Sequence, residues 1–143
     1  MSAPSLVQYE TESEYKDHYI DVYCRSGIRT FDGFSVRFAA RTFEHAFYKS
    51  SDRSDVKDTF SPERAERIDW IKYALESPDG DIRAGWDKRR GKYDFERRVA
   101  IVMGDYVVVI SIQDREKKKA VFITAYIADA DALPKILKSP EWK

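Results

Sequence analysis

The spacing of apolar residues changes twice along this chain, which divides it into short strands, then two helices, then a second run of strands. Tyr19-Ile20-Asp21-Val22-Tyr23-Cys24 and Ile28-Arg29-Thr30-Phe31 flank Arg25-Ser26-Gly27, and Asp32-Gly33 precedes Phe34-Ser35-Val36-Arg37-Phe38. Short β-rich runs broken by Gly, Ser and Asp predict strands joined by tight turns, here an N-terminal β-meander. From Ala39 to Lys49 the period lengthens: Phe43, Ala46 and Phe47 recur at helical spacing without Gly or Pro, so a helix carrying His45 is expected. The stretch 50–60, rich in Ser and Asp, reads as a loop. Ser61-Pro62-Glu63 is a helix start, with Ser as cap, Pro at the first helical position and Glu at the positive end. Ala65, Ile68, Ile71 and Leu75 continue it as an apolar stripe that closes at Ser77-Pro78-Asp79-Gly80.

After that turn the pattern returns to strands: Ile82 to Lys88, Tyr93 to Met103, Tyr106 to Gln113 and Ala120 to Ile127. Only Gly104-Asp105 separates the second and third of these, the length of a two-residue hairpin, and the charged turn Asp114 to Lys119 separates the third and fourth. Val107-Val108-Val109-Ile110 is apolar on both faces and belongs at the sheet centre. A short terminal helix over Asp129 to Leu137 completes the reading. The fold expected is α+β, with two helices packed on one side of an antiparallel sheet of about four strands, extended by the N-terminal meander. Residues 1–18, polar and acidic, read as a loosely structured arm or a short helix, and 19–143 as one domain.

Composition adjusts this picture in three ways. Of 143 residues, 43% are hydrophobic and 14% aromatic, enough for one core. The 25 Lys and Arg balance 25 Asp and Glu, so no global attraction to nucleic acid follows. The charge is segregated, however: residues 1–21 hold five acids against Lys16, whereas 83–119 hold eleven bases against six acids. One cysteine, Cys24, excludes an intramolecular disulfide and cysteine-rich zinc patterns. With no apolar run long enough for a membrane span and no signal-peptide pattern, a cytoplasmic protein is expected.

The candidate chemistry narrows by elimination. There is no phosphate-binding glycine loop, no His-x-x-x-His, no Cys-x-x-Cys and no nucleophile-elbow serine. Of the two histidines, His18 lies in the acidic arm and His45 in the first helix, where it could act as a general base. A single helix-surface histidine more often simply packs. In Phe122-Ile123-Thr124-Ala125-Tyr126-Ile127, the period of two places Phe122, Thr124 and Tyr126 on one sheet face and Ile123, Ala125 and Ile127 on the other. Thr124 could then bond a phosphate oxygen, and Tyr126 could stack on a base or donate a proton, although strand propensity alone accounts for both residue types. Arg64 and Arg67, three apart on the second helix, could reach one phosphate together. Arg97 and Arg98 point to opposite sheet faces, and Arg98 is the candidate to stabilise charge on a transferring phosphate. Trp86, Lys88 and Arg90 cluster as a base-stacking ring with phosphate-contacting cations. No metal or cofactor site is expected.

The order of a helix with Phe-x-His-Ala-Phe, a helix with Arg-Ala-Glu-Arg-Ile-x-Trp-Ile and a meander ending in Phe-Ile-Thr-Ala-Tyr resembles the nuclease superfamily that groups barnase, EndoU, colicin D and RelE-type toxins, in particular its phage-associated branch. The resemblance runs over roughly Val36 to Leu137. It implies a metal-independent endoribonuclease, toxin-like, in which His45 is base or acid, Thr124 the phosphate-oxygen ligand, Tyr126 the aromatic partner and Arg64, Arg67 or Arg98 the electrostatic stabiliser. It also implies RNA, with tRNA as one substrate, and a cognate antitoxin or immunity protein as partners. The alternative is a non-catalytic RNA- or protein-binding module on the same scaffold.

Overall fold

A computed structural model describes residues 4–49, 59–87 and 90–141, and of 86, 87 and 94–98 it describes the backbone only. The described chain is mixed α+β, with five α-helices and a sheet of six strands. Helix α1 spans Glu12–Tyr19 and runs into a π-helical turn over Ile20–Cys24. Strands β1 (Ile28–Arg29) and β2 (Ser35–Arg37) form an antiparallel pair. Helix α2 (Thr42–Phe47) leads to a separate small ribbon, β3 (Tyr48–Lys49) with β4 (Thr59–Phe60). Helices α3 (Pro62–Ala65) and α4 (Ile68–Glu76) follow. The meander β5 (Asp81–Asp87), β6 (Lys92–Met103), β7 (Tyr106–Asp114) and β8 (Lys119–Ile127) leads to α5 (Ala132–Leu137).

The sheet order is β1-β2-β8-β7-β6-β5, antiparallel throughout except that β2 lies parallel to β8. The meander of four strands is the one expected. The hairpin at Gly104-Asp105 is also as expected, with Met103 opposite Tyr106 and Gly104 at φ 63, the conformation the first turn position requires. Residues 50–58, within the expected loop, lie outside the described residues.

Three expectations are overturned. The first concerns Tyr19 to Cys24, which is helical and not a strand. Tyr15, Tyr19 and Tyr23 stand four apart, share one helical face and are all buried. For the preceding residues the short-helix reading holds and the loose-arm reading does not. Thr11 accepts from the Glu14 backbone at 3.3 Å while the Glu14 carboxylate accepts from the Thr11 backbone at 3.2 Å, a capping box that starts α1. Tyr15 Oη donates to Val7 O at 3.0 Å, and His18 Nε2 lies 2.7 Å from Asp69 Oδ1 on α4, so the arm is pinned at both levels.

The second concerns the helix begun at Ser61, which is interrupted at Glu66-Arg67. Ser61 caps it and Pro62 opens it as expected. The backbone N–H of Val7 then donates to Glu66 O at 2.8 Å, occupying the carbonyl that Trp70 N would otherwise reach, and Trp70 N bonds Arg67 O at 2.9 Å instead. The third concerns the sheet faces, both of which carry helices where the sequence pattern assigns them to one. Helices α1 to α4 cover the face built on Val99, Ile101, Val108, Ile110 and Phe122. Helix α5 lies on the other, where Ala132, Leu133 and Ile136 pack with Ala100, Val102, Val107 and Tyr126. No helix of the described residues is long and apolar enough to cross a membrane.

The larger core is aromatic and centres on Tyr19, whose ring lies 5.7 to 6.4 Å from those of Phe43, Phe47, Tyr23, Phe38 and Phe122. Its hydroxyl donates to Ala39 O at 2.9 Å, so a fully buried phenol satisfies its own polar atom while joining α1, α2 and β8. Tyr19→Ala should cost about 3–5 kcal/mol of unfolding free energy, read from urea denaturation; a loss under about 1 kcal/mol would mean the cluster is not the joint described. Burial also raises the pKa of the Tyr19, Tyr23 and Tyr106 phenols above their ordinary 10.0. These groups keep their protons in the fold where the unfolded chain has lost them. Stability is therefore undiminished below about pH 10 and falls as pH rises above it. The urea midpoint measured from neutral pH upward should show that break.

Candidate functional site

The site begins with one irregularity in β8. Opposite β7, Val109 pairs with Thr124 but Ile110 pairs with Phe122, so Ile123 is an extra residue, a β-bulge. The bulge reverses the alternation. Phe122 and Ala125 both face the aromatic core, and Thr124 and Tyr126 turn to the opposite face, half-buried, beside Val109 and Ala100. Thr124 and Tyr126 do share a face, as the sequence indicates, but Phe122 is not on it.

A cleft of about 350 Å³ opens there, lined by His45, Ile123, Thr124, Tyr126 and Val109, with Ala84, Gly85 and Ala100 from β5 and β6 and with Ile136 and Ser139 from the C-terminal segment. His45 reaches it from α2, whose Phe43, Ala46 and Phe47 are buried while His45 itself is exposed. His45 of the first long-period segment and Thr124 and Tyr126 of the last strand therefore line one cavity, although 79 positions separate His45 from Thr124 in the chain.

Arg64 secures this meeting. One guanidinium nitrogen donates to Ala46 O at 3.3 Å and to Tyr48 O at 3.1 Å, the carbonyls released at the end of α2. Its Cζ stands 6.0 Å from the centre of the Tyr126 ring, at the outer reach of a cation–π contact. Burial lowers the Arg64 pKa, and the neighbouring Tyr126 and Tyr106 phenols and Glu63 act against that fall. Burial likewise raises the Tyr126 pKa above 10.0, with Arg64 opposing. Each shift leaves the neutral-pH state unchanged: Arg64 is a cation and Tyr126 a protonated donor.

The other candidates separate from this cluster. Arg67 does not join Arg64 on one ligand. It donates to Glu63 O at 2.8 Å and to Glu66 Oε1 at 3.0 Å and lies 5.2 Å over the Trp70 ring, because the break between α3 and α4 turns it back onto its own helix. Arg98 sits in β6 opposite Ser111, and Trp86 in β5 opposite Tyr93, with both side chains outside the described part. Lys88 lies outside the described residues. Arg90 is exposed at the turn between β5 and β6 and does not line the cleft.

Sequence reasoning missed the walls. Ser139 and Ile136 line the cleft because the C-terminal segment folds back on β5: Ala84 N donates to Pro140 O at 2.8 Å and Arg83 to Ser139 O at 3.0 Å. Gly85 lines it where the β5–β6 register jumps from Ala84–Val99 to Gly85–Asp94, leaving 95–98 without partners on β5. A glycine inside a strand is the one sequence signal that marks such a place. A second depression of about 460 Å³, bordered by Tyr93 and Lys135, shares Tyr126, Ile136 and Ser139 with the cleft. Among the described residues, no three His, Cys, Asp or Glu side chains gather as a metal-ligand group.

No family model, curated protein or solved structure matches this chain.

If Arg64 holds both the end of α2 and the Tyr126 phenol, Arg64→Gln should raise the Tyr126 pKa further and cost about 2 kcal/mol of stability through the two carbonyl bonds. Tyrosine-selective NMR titration, with Tyr126→Phe assigning the resonance, reads the first; an unchanged Tyr126 titration would break the link.

Proposed function

We propose that this protein is a metal-independent endoribonuclease whose active site is the cleft lined by His45, Thr124 and Tyr126. The observation that carries the reading is the convergence of an imidazole, a hydroxyl and a protonated phenol in one cavity beside a half-buried arginine. Those groups match what a phosphodiester transfer without a metal requires: a base, an oxyanion ligand, an acid and a cation.

In this reading His45 takes the proton of a ribose 2′-hydroxyl, and the 2′-oxygen attacks the adjacent phosphorus. The bond from phosphorus to the 5′-oxygen breaks, and the Tyr126 phenol protonates that departing oxygen. Thr124 donates to a non-bridging oxygen while Arg64 stabilises the developing negative charge through the same face. The products are a 2′,3′-cyclic phosphate and a 5′-hydroxyl, and the proton held by His45 returns through solvent water to the Tyr126 phenolate, which resets both groups. The protein belongs by this proposal with the barnase, EndoU, colicin D and RelE-like nucleases and their phage-associated branch. A structured RNA such as tRNA is the substrate proposed, and since such an activity endangers the cell that makes it, a cognate antitoxin or immunity protein is the partner proposed.

Purified protein incubated with total RNA in EDTA should generate cyclic-phosphate ends. His45→Ala should slow this by about 10²–10⁴-fold, and Thr124→Ala and Tyr126→Phe by about tenfold or more, with circular dichroism unchanged. RNA left intact by the wild type but retained on it points to a binding module on this scaffold, and equal cutting by His45→Ala removes the proposed base.

A further inference from the structure

The sheet face that carries the cleft is not closed by α5 along its whole width. Helix α5 covers Ala100, Val102, Val107 and Tyr126, but at the start of β8 the same face presents Lys119 and Val121, with Ser35 and Arg37 beside them on β2 and Gln113 on β7. Here a depression of about 490 Å³ lies between those strands and the turn at Arg25 and Ser26.

Among the described residues its lining contains three cations, Arg25, Arg37 and Lys119, and no carboxylate. Arg25 is partly neutralised by Asp21 at 3.0 Å. Arg37 and Lys119 are exposed and engage no carboxylate in an ion pair among the described residues. Arg29, exposed on β1, extends the same row, because Arg29 pairs with Ser35 and Ser35 with Lys119 across the sheet, and the row ends at Asp114 of β7, the carboxylate opposite Lys119, which leaves a net positive charge. Like charges gathered on one flat surface repel, a cost that a bound polyanion relieves.

Strand β8 connects this depression to the cleft. Lys119 and Thr124 lie on one strand, about 16 Å apart at roughly 3.3 Å per residue, with Val121 between them on the same outer face. A chain molecule with regularly spaced negative charges and one reactive phosphate in the cleft would lay its neighbouring phosphates over Lys119 and Arg37.

We infer that the Arg37–Lys119 depression is a phosphate-backbone anchor for single-stranded RNA, holding nucleotides a few positions from the bond presented to His45. The inference rests on the reading of the cleft as an RNA-cleaving site. It adds a sequence-independent binding surface outside the reacting groups, of the kind in which cations track the backbone while chemistry is done elsewhere.

The test uses a fluorescein-labelled all-deoxy dodecamer, which lacks the 2′-hydroxyl and so binds without being cut, with anisotropy recorded over a range of salt. The double variant Arg37→Gln/Lys119→Gln should bind about tenfold or more weakly at low salt. Its plot of log affinity against log salt should be shallower by about 1.4, since each phosphate of a single strand that is no longer neutralised reduces the slope by about 0.7. Lys72→Gln, an exposed lysine on α4, should change the slope little. An unchanged slope in the double variant, or an equal change in Lys72→Gln, overturns the anchor. Because the probe reports binding alone, a chain that binds it through Arg37 and Lys119 yet cuts no RNA would retain the anchor and lose the nuclease reading. Cutting that persists with an unaltered salt slope would do the reverse.

Discussion

Strand β8 has to satisfy two faces at once, and a single additional residue, Ile123, makes that possible. Without the bulge, strict alternation from the buried Phe122 would send Thr124 and Tyr126 into the aromatic core with it. A threonine hydroxyl and a phenol would then need partners in the most apolar part of the molecule. With the bulge, Phe122 and Ala125 fill the core, while Thr124 and Tyr126 face a cavity. A bulge costs a ladder bond and local regularity, and bulges recur where a strand re-aims a side chain beside a functional site. The β5–β6 register jump at Gly85 also breaks the sheet, on the far wall of the same cleft.

The short β2 is the second requirement. It pairs with β8 only at Lys119, Ala120 and Val121, and beyond Val121 that side of β8 has no strand partner among the described residues. Helices α2 and α3 pack against β8 instead. Only because the sheet stops there can a helix residue such as His45 meet the outer face of the strand. Arg64 ties the arrangement together by bonding the terminal carbonyls of α2 while lying near the Tyr126 ring. Its charge therefore orients the helix end as well as setting the local field.

Much of this is legible in the sequence, for identifiable reasons. The four-strand meander follows from period-two runs and the Gly104-Asp105 turn, and the start of α3 from Ser61-Pro62, both signals that depend on neighbouring residues alone. The grouping of His45, Thr124 and Tyr126 is what the resemblance to the nuclease superfamily implies, and all three line the cleft. The misreadings share a cause. Tyr19 to Cys24 looks like a strand because β-branched and aromatic residues crowd it, yet Tyr15, Tyr19 and Tyr23 spell a helical face once the window is widened across the assumed arm. The interruption at Glu66 depends on Val7, and the pairing of β2 with β8 joins residues over eighty positions apart; no local window contains either. The bulge at Ile123 is likewise a property of two strands read together, which is why period-two alternation puts Thr124 and Tyr126 correctly on one face but gives them the wrong neighbour in Phe122.

The distribution of charge then acquires a spatial meaning that the neutral total conceals. Acids of the first segment engage groups on the helix side of the molecule: Glu12 accepts from Tyr48 Oη at 2.6 Å, and Asp21 pairs with Arg25 at 3.0 Å. Arg37 and Lys119, by contrast, stand on the outer sheet face and form no ion pair among the described residues, although Asp114 lies opposite Lys119 on β7, and Lys135 borders the depression beside the cleft. A polyanion approaching from solvent is steered by the local field of the surface it meets, weighted within about 10 Å by screening at ordinary ionic strength. A chain of zero net charge can therefore present one cationic sheet face, and its neutrality is no argument against an anionic substrate lying along β8.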